Sequence, residues 1–506
     1  MGNNASVQSN PSSTLFQGRR ASFPIHIVVV GCGLGGLSAA YCLAEAGHTV
    51  TILESASAIG EIGAGIQVSP NLTRLLIRWG LGDKLKQVTV KPEAITFRRC
   101  ASHPRCSLST FLTISVGSTG ETIAWTRYTL STPRVLSRLI VTSTQRADFH
   151  RLVYELAELH PRVTIRTSSR VVAMDPSIPT LTLESGEVVQ ADLVIGADGV
   201  KSLTREYVVG GPDKPSPTGD AAYRAIIPTN LMLKDPDLRP LVETPEMVGW
   251  MGPGRHIMTY NIRAKREFNL VLCHPDDGSV ESWTAEGSAD KMRADFVCWE
   301  PRVKKLLALI PSTLNWKLMD RAPLSTWINK DGKLALLGDS CHPMLPYRAQ
   351  GSAMAVEDAA VLGNLFSRLS SPAQIAPLLR AYESIRYDRA TATQASSRLN
   401  QHIFHLPDGP EQEERDRQMR VAMEAALSEV GEQVRRRVHN TATVTSASAD
   451  VARQKVGAPA DANRDNANQW ADKAKSRIQF GYDADAEAEK WWAEHGQKTI
   501  GVLARM

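Results

Sequence analysis

Three groups of residues in this chain have types and spacings suited to chemistry. The first is Gly31-Cys32-Gly33-Leu34-Gly35-Gly36, a GxGxxG run, with Glu54 lying 18 residues past Gly36. Such a run suits a pyrophosphate. Gly31 permits a tight turn, Gly33 lets the backbone approach the phosphates, and Gly36 lets the following helix pack on its strand. The helix start adds free N–H groups and the positive end of a dipole. Glu54 can accept hydrogen bonds from a ribose diol and disfavours a 2′-phosphate, so the site suits FAD or NAD and not NADP. The second group is Asp198-Gly199 at the end of Ala191–Gly199, with Ser202 and Arg205 at fixed offsets. The third is Gly338-Asp339, followed by Ser340–Pro346, Gln350-Gly351-Ser352 and Glu357-Asp358.

These residues need particular elements to hold them. Ile25–Val30 is an apolar strand, the pattern to Ala46 is helical, and Thr49–Leu53 is a second strand ending at Glu54. Strand, GxGxxG, helix, strand, acid is the order of a dinucleotide-binding unit. Ala191–Gly196 and Lys333–Leu337 read as further buried strands, each running into a Gly/Asp turn. A helix is expected to start near Gly351, and Pro343 and Pro346 stiffen the loop before it. Between Arg205 and Leu324 the pattern changes. Tyr223–Pro228, Met247–Met251, His256–Ile262 and Phe268–His274 read as strands of an antiparallel sheet.

In this set the chain resembles the single-component flavoprotein aromatic hydroxylases, the family of p-hydroxybenzoate and salicylate hydroxylases. It is most similar to their fungal salicylate-hydroxylase-like members. The likeness covers residues 25–82, 146–228 and 320–370, and the tail from Asn468 to His495. It implies an α/β fold: a Rossmann-like FAD-binding domain, an inserted antiparallel β-sheet substrate domain and a helical C-terminal tail. The expected divisions are a disordered start at 1–22, FAD-binding parts at 23–205 and 323–406, the substrate sheet at 206–322, and a partly disordered tail at 407–506. The resemblance implies non-covalent FAD, with NADH or NADPH and O₂ as co-substrates. Gly31, Gly33, Gly36 and Glu54 would bind the ADP half. Gly63, Ala64, Gly65 and Gln67 would pass beside the flavin, and Arg146 would contact its phosphate or ribityl region. Asp198 would sit near the pyrophosphate and the transient nicotinamide, and Asp339 on the ribityl chain, with Gly351 and Ser352 at the helix start. The implied reaction is hydroxylation of a phenol by a flavin C4a-hydroperoxide, in aromatic degradation or fungal secondary metabolism. A flavin epoxidase or reductase acting on isoprenoids, and a non-catalytic prenyl-protein escort, share the fold.

In the sheet, Tyr223, Arg224, Trp250, Met251, His256, Met258 and Tyr260 are candidates to line the substrate pocket, because alternation alone does not say which face is which. Arg224 stands out. A guanidinium inside an apolar strand is costly if buried without a partner, so it lies either at the surface or against an anion. A substrate phenolate or carboxylate would serve. His256 and Tyr260 are candidate proton handlers, set against ordinary packing.

Residues 100–144 depart from the family, which reaches the equivalent of Arg146 by a shorter route. The strand expected before Arg146 is hard to find unless Val135–Val141 supplies it. An added surface loop and retained intron sequence are the two readings.

Length and composition set the outer limits. The 506 residues imply several domains, and 42% hydrophobic with 22% charged residues is globular composition. A net charge of +5 without a dense basic block gives no reason to expect nucleic acid. Seven dispersed cysteines without a CxxC pair suggest neither a disulfide framework nor a zinc site, and fit a cytoplasmic location. No metal is expected. No membrane-spanning run appears, and a monomer or homodimer is expected. Gly2 sits in an M-G-x-x-x-S myristoylation pattern, and Ala504-Arg505-Met506 loosely resembles a peroxisomal address. Toward the C-terminus a helix is expected near 416–437, a linker over 441–468, and a final helix near 483–495 whose Trp491 and Trp492 dock on the body.

Overall fold

In a computed structural model, residues 15–60, 64–100, 121–127, 142–279, 285–428, 430–431, 434–435 and 472–501 are described. Gly2, Gly63, the proposed strand at 135–141, the linker at 441–468 and the last three residues lie outside them.

The first apolar run forms the strand His26–Val30, at the centre of a five-stranded parallel sheet. Its order is Leu334–Leu336, Leu193–Gly196, His26–Val30, Thr49–Leu53, Val163–Arg166. All three strands that end in the chemical motifs are therefore adjacent, with Leu193–Gly196 beside His26–Val30 and Leu334–Leu336 beside that. The central strands are buried on both faces, Val28, Val30, Leu53 and Val194 packing on Met174, Leu181 and Leu183 of a small antiparallel sheet. The helices Leu34–Glu45 and Gly351–Phe366 cover one face and pack on each other. Gly363 permits this, since a Cβ there would lie 2.7 Å from Cys42 Cβ.

A larger sheet of eight strands crosses the top of this layer. Its order is Glu286–Gly287, Thr313–Asp320, Ser216–Pro228, Glu267–Pro275, Arg255–Ile262, Glu246–Gly252, Ala94–Arg99, Glu121–Arg127. The four expected strands are present; three extend their apolar cores by one or two residues, and the first runs the 13 residues Ser216–Pro228. Two further strands come from upstream, Ala94–Arg99 pairing parallel to Glu246–Gly252 and Glu121–Arg127 capping the edge. So part of the atypical 100–144 segment is an edge strand. The strand directly before Arg146 is Thr142–Gln145, paired antiparallel with Gly65–Val68. Its sequence, Thr-Ser-Thr-Gln, is polar, which hid it from a search for hydrophobic alternation.

Register sorts the two faces. Tyr223, Trp250, Ile257, Leu270 and Leu272 face away from the FAD-binding layer, into a core closed by Met292, Phe296, Val303 and Leu306 of the segment 289–308. Arg224, Met247, His256, Met258, Tyr260, Val271 and Cys273 face the other way, into a cavity. Tyr223 and Trp250 are thus excluded as pocket residues, with their polar atoms spent on Asp295 and Glu300. Met251 packs in the core beside the cavity without lining it.

The C-terminal part is helical. Ile375–His405 runs 31 residues, and Pro410–Ser428 begins earlier than expected because Pro410 suits a first helical turn. Lys473–Gly481 and Ala484–Gly501 dock on the FAD-binding body. Ala484 and Ala488 join the core of that body, Tyr482, Trp491 and Trp492 pack against it, and ion pairs add to the hold. Arg78 pairs with Asp483 at 2.8 Å and with Asp485, and Arg368 pairs with Glu489 at 2.7 Å. Trp492 does stack under Arg368, 4.7 Å from ring centre to guanidinium carbon. Among the described residues five cysteines are free and buried, and Cys298 is disulfide-bonded. Among the described residues no helix is long and apolar enough to cross a membrane.

Candidate active site

The GxGxxG turn has the geometry of a phosphate cradle. Gly31 sits at φ +104°, and a Cβ there would lie 2.4 Å from the Ala197 carbonyl oxygen, so the turn needs glycine twice over. A Cβ on Gly36 would lie 2.0 Å from the Gly31 carbonyl oxygen, which is the close helix–strand packing expected of the third glycine. Gly33 differs from both. Nothing lies within 4 Å of its ideal Cβ, and it lines the cavity, so its lack of a side chain leaves room for a ligand. Glu54 accepts from the Cys32 amide at 2.9 Å and from the Ala56 amide at 2.8 Å, which fixes its carboxylate beside the turn.

The cavity itself has a volume of about 360 Å³ and lies between the two layers. Its floor holds Gly33, Gly65, Gln67, Arg146, Asp339, Gly351 and Ser352. Ala64 holds the segment in place by accepting the Arg146 amide at 2.7 Å, and the Gly65 amide donates to Asn269 at 2.7 Å. Asp339 points into the cavity at the start of the Gly351–Phe366 helix. Its Oδ1 is 3.9 Å from where a Cβ on Gly351 would stand. Burial among surrounding atoms pushes the Asp339 carboxyl above its ordinary pKa, while His342, Arg146 and Arg205 pull it back. The side chain reaches open cavity space, so the upward push is weaker than for a carboxyl sealed in a core.

Asp198 lies beside the GxGxxG turn, its Cα 3.2 Å from where a Cβ on Gly31 would stand. Its carboxylate accepts from Ser202 Oγ at 2.6 Å, the Thr204 amide at 2.9 Å and Thr204 Oγ1 at 2.7 Å. It holds the start of the helix Leu203–Val209, whose N-cap is Ser202, and its neighbours Ala197 and Gly199 line the cavity. Sequence reasoning gave no role to Arg205. This fully buried guanidinium donates to the carbonyls of Ser340, Asp339 and Val200, and so ties the second Gly/Asp turn to the first. Asp358 was noted only as part of a motif. It accepts from His342 Nε2 at 2.6 Å, Arg386 Nε at 2.7 Å and the Gly338 amide at 3.1 Å, clamping the Asp339 turn from behind. Cys341, His342 and Asp358 bring ligand-type atoms within 4.8 Å of one another. Arg386 already neutralises Asp358, which suits a buried ion-paired clamp better than a metal site.

The roof is apolar apart from three residues. Phe97, Met247, Met258, Val271 and Phe404 make the walls, and Arg224, His256 and Tyr260 face the space between them. The Arg224 guanidinium carbon lies 3.9 Å from the centre of the Trp316 ring. Its Nε is buried without a hydrogen-bond partner, and no carboxylate pairs with it among the described residues. Desolvation pushes it down to about 10, and Arg146 pushes the same way, against the opposing pull of Tyr260. Burial pushes the Tyr260 phenol up, with Arg224 pulling it down. His256 is held well below its ordinary pKa by burial and by His405, whose Nε2 is 2.7 Å from His256 Nδ1. The structure thus brings Arg224, Tyr260 and His256 to one cavity with Gly33, Gly65, Gln67, Arg146, Asp339, Gly351 and Ser352. Gly31, Gly36, Glu54 and Ala64 support its edge.

A parallel sheet with a phosphate-type glycine turn, roofed by an antiparallel sheet over a shared cavity, defines a two-layer flavoprotein. The family described as "FAD binding domain" matches residues 25–397, and the chain belongs to it. It is 36% identical over 400 residues to the FAD-dependent monooxygenase OpS4 of Beauveria bassiana, covering 78% of this chain and 89% of that one. It is 34% identical over 400 residues to the 3-amino-4-hydroxybenzoate 2-monooxygenase PtmB3 of Streptomyces platensis, covering 78% and 92%. The fold is that of a salicylate hydroxylase solved with its substrate, at a TM-score of 0.63 and 22% identity, covering 84% of this chain and 99% of that one. This protein is an FAD-dependent monooxygenase of the aromatic-hydroxylase type.

Proposed function

We propose that the protein hydroxylates a small phenolic molecule, using NADH or NADPH as reductant. The observation that carries the reading is Arg224, a cation without an anionic partner, aimed into an otherwise apolar cavity. Bound FAD supplies hydride uptake from the reductant and activation of O₂ for transfer of one oxygen atom.

The chain's own residues then divide the work. Gly31, Gly33, Gly36 and Glu54 hold the ADP portion, and Gly65, Gln67, Arg146 and Asp339 flank the flavin portion. With FAD bound, the positive end of the Gly351–Phe366 helix would stabilise negative charge on the reduced ring. Arg224 binds a phenolate or carboxylate of the substrate, which favours the ionised, more electron-rich ring. Tyr260 donates a hydrogen bond beside it, and His256 accepts a proton. Phe97, Met247, Met258 and Phe404 keep water from the reacting atoms. An isoprenoid substrate would leave Arg224 unpaired, which counts against the epoxidase alternative.

The test is a screen of NADH and NADPH oxidation by the FAD-loaded protein against phenolic acids, polyketide-type phenols, their methyl ethers and isoprenoids. H₂O₂ and hydroxylated product are measured together. Ionisable phenols should stimulate oxidation coupled to product, and their methyl ethers should not. Equal turnover of methyl ethers, or oxidation of isoprenoids alone, would overturn the reading.

A further inference from the structure

We propose that the C-terminal helix Lys473–Gly481 holds the loop 346–352 in the shape that receives FAD, through Arg348 and Gln350 on either side of a strained Ala349. The inference rests on membership of the FAD-binding family and is independent of the substrate. The loop joins the Asp339 turn to the helix Gly351–Phe366. Every residue of it except Arg348 lines the cavity. Arg348 is buried and turned toward the tail instead. Ala349 sits at φ +51° and ψ +42°, in the left-handed region. A side chain there crowds the backbone, and an alanine populates the region about 5- to 30-fold less than an ordinary one. Such a residue keeps its conformation only where its surroundings over-determine it.

The surroundings that hold Ala349 lead to one tail residue by two paths. On one side, Arg348 Nη2 donates to the Gln479 side-chain oxygen, across 131 residues of sequence. Burial pushes the Arg348 guanidinium down to about 10, and the buried Asp472 carboxylate pulls it back. Asp472 is itself fixed, since it caps the helix Lys473–Gly481 by accepting the amides of Ala474 and Lys475 at 2.9 Å each. On the other side, Gln350 Oε1 accepts from Asn71 Nδ2 at 3.1 Å, and the same nitrogen donates to Glu357 at 2.7 Å. Glu357 takes both arms of Arg389, at 2.7 and 2.8 Å. Arg389 Nη2 then donates to the Gln479 carbonyl at 2.9 Å. The next residues of the tail are pinned as well. The Tyr482 ring lies 3.8 Å from the Arg389 guanidinium carbon, and Arg74 donates to the carbonyls of Gly481 and Tyr482 at 2.9 and 2.6 Å.

Released from Gln479, the loop can shed its strain by turning Ala349 to an ordinary conformation. The peptide units on either side would swing, and the first turn of the Gly351–Phe366 helix would move with them. The fraction of protein ready to bind FAD falls, and the apparent Kd rises in inverse proportion. Glycine at position 349 changes this arithmetic. It populates the left-handed and ordinary regions about equally, so loss of the tail's hold then costs only about twofold. Arg348 and Gln479 are positioning residues in this account, because neither lines the cavity.

The experiment measures FAD affinity by fluorescence titration of the full-length apoprotein, with thermal melting of the same samples. Gln479→Ala and Arg348→Met should each raise the Kd for FAD about 5- to 30-fold, the factor by which the left-handed alanine is disfavoured. Should Arg348→Met fail to fold, Gln479→Ala carries the same prediction, because it truncates a side chain at the edge of the tail. Adding Ala349→Gly to Gln479→Ala should bring the Kd back to within about threefold of wild type. Glu489→Gln loosens the tail at Arg19 and Arg368, away from the loop. It should lower Tm and leave the Kd unchanged. Wild-type affinity in Gln479→Ala would overturn the proposal. So would a loss that Ala349→Gly does not repair, or an equal loss in Glu489→Gln, which would make the tail a general brace for the fold.

Discussion

Replacing Arg224 by alanine tests whether this cation serves the substrate or the fold. Burial moves the guanidinium from 12.5 to about 10, a cost of roughly 3 kcal/mol at 1.36 kcal/mol per unit. The group reaches open cavity space, where solvent screening relieves part of that cost, leaving about 2–3 kcal/mol for a substrate anion to recover. Arg224→Ala should therefore lower kcat/KM about 30- to 150-fold. The fold should barely notice. Removing an unpaired buried cation relieves desolvation, while the stacking on Trp316 is lost at about 1 kcal/mol. The two effects oppose, so Tm should stay within about 3 °C. FAD content should be unchanged, and NAD(P)H oxidation should continue in part with H₂O₂ in place of product. Arg224→Lys should recover only a fraction, because an ammonium does not reproduce the planar fork. The assay is steady-state hydroxylation with product and H₂O₂ quantified, alongside flavin absorbance and thermal melting. An alanine variant within about threefold of wild type, or one that loses FAD, would refute the reasoning.

Three further outcomes are expected. Gly33→Ala should fold as stably as wild type but bind FAD weakly, whereas Gly36→Ala should lose thermal stability; equal effects in both assays would contradict the assignment of Gly33 to the ligand and Gly36 to packing. Glu54→Ala should weaken FAD binding about 10- to 100-fold by removing charged hydrogen bonds, read by fluorescence titration of apoprotein, and full retention would remove Glu54 from the site. His48 is buried and held down to about 4, with Nδ1 accepting the Ile25 amide. Between about pH 6.5 and 4 the unfolded chain therefore binds a proton that the folded one refuses, and stability falls as pH falls through that window. His48→Gln should flatten the urea-measured dependence by about 1.4 kcal/mol per pH unit at its steepest, and parallel curves would refute it.

Much of the FAD layer was legible because its signals are local. Apolar strands running straight into Gly31, Gly199 and Gly338 announce both the strands and their turns, and GxGxxG followed by Glu54 announces the ligand. The roof was legible as strands but not as faces. Arg224 and Tyr223 are neighbours with opposite fates, and only pairing to Val271 and Leu272 decides which one sees the cavity. Asp198 was legible as a residue of the turn, but its bonds to Ser202 and Thr204 were not, because they depend on the helix start turning back. Thr142–Gln145 was missed because its strand is polar. His405 carried no signal, since it reaches His256 across 149 residues of sequence. The tail was expected to dock through its tryptophans. Trp491 and Trp492 do pack on the body, and arginine–carboxylate pairs whose partners no periodicity reveals add to them.

The most direct test of the central claim is isotopic. The FAD-loaded protein is supplied with NAD(P)H, ¹⁸O₂ and the phenol that best stimulates oxidation, and the product is weighed by mass spectrometry. The account predicts one ¹⁸O atom in each product molecule and no product without FAD. A product labelled only from H₂¹⁸O, or NAD(P)H oxidation that yields H₂O₂ alone with every phenol tried, would contradict it.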